Sequence, residues 1–68
     1  MNINSLKAEI ARNGLTIPTL AEKVGMNKKT LYGKIKGVSS FTINEVSKIT
    51  NALNLTDEEM LEIFFDKQ

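Results

Sequence analysis

The side chains of this chain that can do chemistry are mainly lysines, and they are unevenly distributed along its 68 residues. Residues 1–37 hold seven basic side chains against two acidic ones, a net charge of +5, whereas residues 38–68 hold two against six, a net charge of −4. A basic half favours a polyanionic partner, and an acidic half repels the same partner and so fixes its orientation. The alternative is chance clustering of charge on a solvated surface.

Nucleophilic and metal chemistry has little support in this sequence. Cysteine and histidine are both absent, which removes disulfides, thiolate or imidazole catalysis and the commonest metal ligands together. The serines have no histidine or cysteine near them, and the lysines fall at polar helical positions, so no nucleophile, base and oxyanion site assembles. We therefore expect a protein that is not an enzyme and that needs no metal, cofactor or small-molecule ligand.

Five short helices must position the lysines, because glycine and asparagine breakers recur along the chain and no segment alternates with the period of a strand. The predicted helices run from Asn4 to Asn13, from Thr16 to Gly25 and from Asn27 to Lys36, with two more that begin at Thr42 and Thr56. The predicted fold class is all-α, as a compact single domain over residues 1–68.

Caps and apolar spacing define these helices. Asn4, Thr16 and Asn27 are the expected N-caps of the first three helices. The last two helices each begin with a threonine that is followed three residues later by glutamate, the spacing of a capping box. The apolar residues of the fourth helix recur at helical spacing: Ile43, Val46, Ile49 and Leu53.

The segment from Thr16 to Gly37 has the pattern of two helices that cross steeply through a short turn. Such a crossing needs a small residue where the helices touch, which Ala21 supplies. It also needs a residue that accepts a positive φ at the turn, which Gly25 supplies, and an apolar residue to fill the corner, here Met26. Two apolar residues one turn apart then anchor the second helix: Leu31 and Ile35.

This segment resembles a known family, the phage-repressor and Cro-type (Xre-like) helix-turn-helix proteins. The resemblance is carried, in order, by Leu20-Ala21, Val24-Gly25-Met26, Asn27-Lys28-Lys29-Thr30, Leu31 and Gly37. It continues into Ala52-Leu53-Asn54-Leu55-Thr56, so it covers nearly the whole chain, and it is strongest to short Cro-type regulators of phages of Gram-positive bacteria. The resemblance implies a five-helix lambda-repressor-like domain that binds double-stranded DNA through helices 2 and 3.

The resemblance also implies which residues read DNA. In this family the start and outer face of the second helix of the motif enter the major groove, and the matching positions here are Asn27, Lys28, Lys29, Tyr32, Gly33 and Lys36. Lysine can donate to guanine acceptors, and Tyr32 can touch a thymine methyl group or a phosphate. The alternative is that the lysines form an ordinary solvated helix face.

The family further binds phosphates at the starts of its second and fourth helices, through amides and hydroxyls. The matching positions are Thr16, Thr19, Ser40, Thr42 and Asn44, and helix N-termini favour anions on general grounds. The alternative is that the threonines are only caps, a role that the capping-box spacing already assigns to Thr42.

Two positions depart from the family pattern. Three residues after Leu31, where the family usually has an apolar residue, this chain has Lys34 followed by Ile35. Either the helix rolls so that Ile35 faces inward, or Lys34 carries its charge to a phosphate while its stem stays on the apolar surface; we favour the first, with the second as its consequence. Gly33 lies inside the recognition helix, where glycine costs about 1 kcal/mol relative to alanine, and it fits either a close approach to DNA or drift.

The last helix carries two apolar stripes, one of Met60, Ile63 and Phe64 and one of Leu61 and Phe65. We expect Met60 and Phe64 in the core, and Leu61 and Phe65 partly exposed at a dimer interface, because an exposed aromatic patch indicates an interface. A two-fold homodimer would set two recognition helices ~34 Å apart on one face of DNA. The alternative is that all five residues pack within the monomer.

Together these features favour a sequence-specific transcriptional regulator, a Cro-like phage or prophage repressor that binds an inverted-repeat operator. The second hypothesis is a protein-interaction module on the same fold, such as an antirepressor, an antitoxin-like partner or a phage modulator, with the acidic, aromatic C-terminal half as its interface. The sequence has no apolar run of membrane-spanning length and no signal-peptide pattern. We therefore expect a cytoplasmic protein that associates with the nucleoid through DNA and not with a membrane.

Overall fold

The computed structural model of the chain describes residues 1–65. Within them, five α-helices follow one another: α1 (Ile3–Arg12), α2 (Ile17–Val24), α3 (Lys28–Ile35), α4 (Ile43–Ala52) and α5 (Asp57–Phe64). The all-α fold is thereby confirmed, and none of these helices is long and apolar enough to cross a membrane. Asp66 and Lys67, which entered the charge count, lie outside the described residues, and the single domain over residues 1–68 stays a prediction.

Polar side chains begin the helices, because the first backbone N–H groups of a helix have no partner within it. The predicted N-caps of the last four helices are confirmed: Thr16, Asn27, Thr42 and Thr56. Both predicted capping boxes also form, with Glu45 and Glu59 accepting from the N-cap backbone N–H at 2.8 and 2.9 Å. In α2 a third box forms, in which Thr16 and Thr19 accept from each other's backbone N–H groups.

The predicted cap of the first helix is wrong, because Asn2 rather than Asn4 is the N-cap of α1. The side-chain oxygen of Asn2 accepts from the N–H of Ser5 at 3.0 Å, and the backbone N–H of Asn2 donates to the carbonyl of Ile63 at 2.7 Å. The earlier start places Ile3 against the core, where its burial stabilises the first turn. Either asparagine could cap a helix, and the hydrogen bond to α5 and the packing of Ile3 against the core favour Asn2.

The core lies between all five helices, and each of them contributes to it. Its buried side chains are Leu6, Ile10, Leu20, Ala21, Val24, Leu31, Ile35, Val46, Ile49, Leu53 and Ile63. In this arrangement α2 contacts both α3 and α4, and α5 contacts α1 and α4. Ile43 is the exception to the apolar pattern of α4: it is 74% exposed, because it is the first residue of the helix and extends past the core.

Helix α5 buries less than the sequence predicts. Ile63, at 2% exposure, is its buried side chain, whereas Met60 and Phe64, which were expected in the core, are half-buried. The ring edge of Phe64 packs against Phe41, with ring centroids 5.3 Å apart and an interplanar angle of 79°. An eight-residue helix at the edge of the domain presents one line of side chains to its neighbours. The second stripe is exposed, as predicted: Leu61 and Phe65.

Candidate nucleic-acid interface

The corner between α2 and α3 has the residues that a steep helix crossing requires. Gly25 follows α2 with a left-handed φ of 73°, a conformation that glycine adopts without steric cost. The N–H of Met26 donates to the carbonyl of Ala21 at 2.8 Å. Ala21 is buried in the core and Met26 packs against it. The predicted positive φ of Gly25 is confirmed, and α2, the turn and α3 form a helix-turn-helix.

Helix α3 is attached to the core along one side and capped at its start. Leu31 and Ile35 are 0% and 1% exposed. The side-chain oxygen of Asn27 accepts from the N–H groups of Lys29 and Thr30 at 2.8 and 3.3 Å. Because this oxygen serves the cap, the amide NH2 of Asn27 is the side-chain group available to donate to a base or a phosphate.

The opposite side of α3 presents cations and an aromatic ring. Lys28, Lys29 and Lys36 are exposed, and Tyr32 is 51% exposed. The ammonium group of Lys36 lies 5.0 Å from the centroid of the Tyr32 ring, within the range of a cation–π interaction. The structure therefore brings these four predicted reading residues onto one surface, the α3 outer face. Their contact with DNA stays a prediction.

The start of α2 borders the α3 outer face. Ile17 and Pro18 line one open depression together with Lys28, Lys29 and Tyr32. The sequence pattern did not identify these two apolar residues as neighbours of the predicted reading residues. The signal that was available is their position directly after the cap Thr16, ahead of the buried residues of α2.

The two predicted phosphate-binding threonines of α2 are hydrogen-bonded to each other. The N–H of Thr16 donates to the hydroxyl of Thr19 at 2.7 Å, and that hydroxyl donates to the carbonyl of Thr16 at 3.0 Å. The N–H of Thr19 in turn donates to the hydroxyl of Thr16 at 3.3 Å. Since Pro18 has no N–H, the backbone N–H of Ile17 is the first-turn donor that remains for an anion.

Lys34 is held between α3 and α4 by contacts within the domain. Ile35 takes the inward position, as the helix-roll interpretation predicts, and the Lys34 side chain is 11% exposed. The ammonium group donates to the carbonyl of Ser40 at 2.8 Å and lies 3.0 Å from Oε1 of Glu45. The same Oε1 accepts from the N–H of Thr42 at 2.8 Å. Lys34 and Thr42 therefore meet at Glu45, Ser40 is joined to them through Lys34, and Asn44 lies exposed nearby.

The surroundings of Glu45 stabilise its charged form. The backbone hydrogen bond from Thr42, followed by the hydrogen bond from Lys34, lowers the pKa of the Glu45 carboxyl from its ordinary value of 4.5. The sequence pattern identified Glu45 as a capping residue only. Its contact with Lys34 connects two helices that a loop separates in the sequence. The helical spacing of the sequence therefore could not predict this contact.

We expect the domain to lose stability in acid partly through Glu45. Because the folded-state pKa is lowered, the stabilisation is fully present above the unfolded pKa and is lost as the pH falls through the folded value. Urea unfolding from neutral pH to about pH 3 should show a falling free energy of unfolding, and Glu45→Gln should make that fall shallower. Glu62→Gln, at an exposed position of α5, is the control. Identical pH profiles for Glu45→Gln and the unchanged protein would contradict this prediction.

Comparison with known proteins agrees with this geometry. No curated protein and no solved structure matches the chain at a significant level. A family model described as the Cro/C1-type HTH DNA-binding domain matches residues 5–66, which include both helices of the motif and α4 and α5. Proteins of this family are typically non-enzymatic DNA-binding proteins. The chain therefore belongs to the Cro/C1-type helix-turn-helix family, and it is a DNA-binding transcription regulator whose partner is double-stranded DNA.

Proposed function

We propose that this regulator is a Cro-like phage or prophage repressor that recognises an inverted-repeat operator through the major groove. The observation that carries the proposal is the placement of α3, which Leu31 and Ile35 fasten to the core while Lys28, Lys29 and Tyr32 lie exposed on the other side. The major groove admits one α-helix and displays a distinct pattern of donors and acceptors for each base pair. Repression then follows from occupation of promoter DNA.

Two sets of residues divide the DNA contacts in this proposal. Base contacts come from the start and outer face of α3: Asn27, Lys28, Lys29, Tyr32, Gly33 and Lys36. Phosphate contacts come from the starts of α2 and α4: Thr16, Thr19, Ser40, Thr42 and Asn44. The hydroxyl and N–H groups of Thr16 and Thr19 serve their own capping box, so we assign the contact there to the backbone N–H of Ile17, between them, which the helix dipole also favours.

Selection of a randomised duplex library on the purified protein, at physiological salt, tests the proposal. We expect an enriched inverted repeat whose half-sites lie about one helical turn apart. Physiological salt matters because binding through phosphates alone weakens steeply as ions are added. A folded protein that enriches no sequence would contradict sequence-specific repression.

Gly33→Ala tests whether DNA approaches the backbone closely at this position or whether the glycine arose by evolutionary drift. A Cβ built at this position meets only Val38 Cβ, at 3.9 Å, so the fold accepts the methyl group and the helix gains about 1 kcal/mol of stability. If DNA approaches α3 closely here, the same methyl group lowers operator affinity by about tenfold through steric overlap. Urea unfolding and anisotropy titration measure the two effects. Greater stability with unchanged affinity would remove Gly33 from the contact surface.

We propose that the protein acts as a homodimer formed through α5. Leu61 and Phe65 are 54% and 48% exposed. Phe65 also lines a groove with Met1 and Ile43, which are themselves exposed. An apolar surface of this kind favours an interface, and a two-fold dimer would set two copies of α3 ~34 Å apart on one DNA face.

Phe65→Ala is expected to raise the monomer fraction, because it removes an aromatic side chain from the proposed dimer contact. Sedimentation equilibrium should show a dimer dissociation constant at least about tenfold higher. Tyr32→Ala is the matched control, since Tyr32 is an equally exposed aromatic residue on α3. The same monomer fraction in both variants and in the unchanged protein would favour packing within the monomer.

A second candidate function is a protein-interaction module on the same fold, such as an antirepressor, an antitoxin-like partner or a phage modulator. The observation that favours it is α5, which has three acidic residues in its first turn and exposed Leu61 and Phe65 beyond them. This candidate is the one that remains if library selection enriches no duplex. For either function we propose a cytoplasmic protein without catalysis, cofactor or small-molecule ligand.

A further inference from the structure

We propose that Lys34 and Glu45 form a positioning pair for DNA recognition, which holds α3 at one orientation against the start of α4. The inference rests on the proposed function, in which α3 supplies base contacts and the start of α4 supplies phosphate contacts. Both sets reach one duplex together only if the two helices keep a fixed relation. Within residues 1–65, Lys34 and Glu45 are the charged side chains that join them.

Three polar contacts form this junction, and two of them share one oxygen of Glu45. The ammonium group of Lys34 lies 3.0 Å from Oε1 of Glu45 and donates to the carbonyl of Ser40 at 2.8 Å. The N–H of Thr42 donates to the same Oε1 at 2.8 Å. One carboxylate oxygen therefore connects the last turn of α3 with the N-cap of α4, and the lysine also binds the loop between them.

Burial distinguishes this pair from an ordinary surface ion pair. The side chains of Lys34 and Glu45 are 11% and 21% exposed, whereas that of Arg12 in its ion pair on α1 is 68% exposed. Exposed pairs contribute little, because water screens them and the side chains lose entropy. Lys34 also lines a groove with Phe41 and Val46, which restricts its stem, and charge-assisted hydrogen bonds then fix the direction of its head.

The same contacts decide how Lys34 acts on DNA. Two of the three donors of its ammonium group are directed at Ser40 and Glu45, and the side chain is 11% exposed, so little of it is open to a phosphate. Lys28 and Lys29, on the α3 outer face, have no ion pair within residues 1–65. We therefore assign Lys34 an effect on DNA through the orientation of α3, in place of the direct phosphate contact that the sequence predicts.

Glu45→Gln tests the pair, because glutamine can keep the capping-box hydrogen bond but loses the charge that holds Lys34. The variant is one charge more positive, so attraction to phosphates alone predicts equal or tighter binding of the operator. Positioning predicts the opposite, a loss of operator affinity of about fivefold or more. Affinity for a duplex of unrelated sequence should then be unchanged or higher.

Lys34→Met completes a double-mutant cycle, since methionine keeps an unbranched apolar stem and the double variant has the original net charge. We expect both single variants and the double variant to lose similar operator affinity, because breaking the pair from either side removes the same restraint. Lys34→Arg should retain most of the affinity. The pair is overturned if Glu45→Gln binds the operator as tightly as the unchanged protein, or if Lys34→Met lowers the salt slope by about one, which indicates a direct phosphate contact.

Circular dichroism and urea unfolding identify conditions in which the variants are folded, so that lost affinity reports orientation and not unfolding. If Glu45→Gln does not fold, Lys34→Met carries the comparison through its affinity and salt slope. The unchanged protein is titrated in parallel with operator and unrelated duplex. No preference for the operator means that the proposed function fails and the positioning pair with it. If the unchanged protein prefers the operator and Glu45→Gln binds the operator with the same affinity, the positioning pair is contradicted and the proposed function is not.

Discussion

Lys29→Ala is expected to weaken binding to the selected operator by about tenfold to a hundredfold, because in the proposed function it removes a donor to base edges. Lys29 lies exposed in the first turn of α3, beside the depression that Ile17 and Pro18 line. The substitution preserves the fold, because the Asn27 cap binds the backbone N–H of Lys29 at 2.8 Å and not its ammonium group. Alanine is also the better helix former.

Anisotropy titration against the operator and against a duplex of unrelated sequence measures this effect at physiological salt. Tyr32→Ala should weaken operator binding as well. The matched control is Lys48→Ala, which makes the same charge change on α4, next to Lys23 and Asn51 at the far end of α2. We expect the control to lose little affinity. Unchanged binding in both Lys29→Ala and Tyr32→Ala would show that the α3 outer face does not read DNA.

Leu31→Ala is expected to lower the free energy of unfolding by about 2 to 5 kcal/mol, the cost of truncating a leucine in a packed core. Leu31 is 0% exposed and attaches the middle of α3 to the other helices. A domain of this size buries a limited core and is marginally stable. A loss of this magnitude therefore unfolds a large fraction of the protein and removes DNA binding together with the fold.

Urea unfolding followed by circular dichroism measures the change, with two neighbouring controls. Leu31→Met keeps the apolar volume and should cost less than about 1.5 kcal/mol. Thr30→Ala changes the adjacent exposed residue and should leave stability within about 0.5 kcal/mol of the original. A Leu31→Ala variant as stable as Thr30→Ala would mean that this leucine does not anchor α3.

Features that depend on local sequence were predictable in this fold. A cap and its partner lie within one turn, so Thr42 with Glu45 and Thr56 with Glu59 could be identified from spacing alone. Asn2 could not be distinguished from Asn4, because the difference lies in a hydrogen bond to Ile63 at the other end of the chain. Which side chains of α5 are buried and which are exposed likewise depends on the side of the helix that α1 and α4 contact.

The candidate site divides in the same way. The order of small, glycine and apolar residues in the motif located α3 and its exposed side, since those residues act within one supersecondary unit. The approach of Ile17 to Tyr32 and the contact of Lys34 with Glu45 connect different helices. Their distances follow from how the helices pack, and sequence spacing contains no information on that.

The residues proposed to read DNA differ in how freely evolution can change them. Among the described residues, Lys28 and Lys29 are exposed and form no ion pair, so substitutions there can alter the preferred operator at little cost to the fold. Asn27 is different, because the side chain that can face DNA also caps α3. Paralogues that diverge in operator preference should therefore vary at positions 28 and 29 first, and should keep a capping residue at position 27.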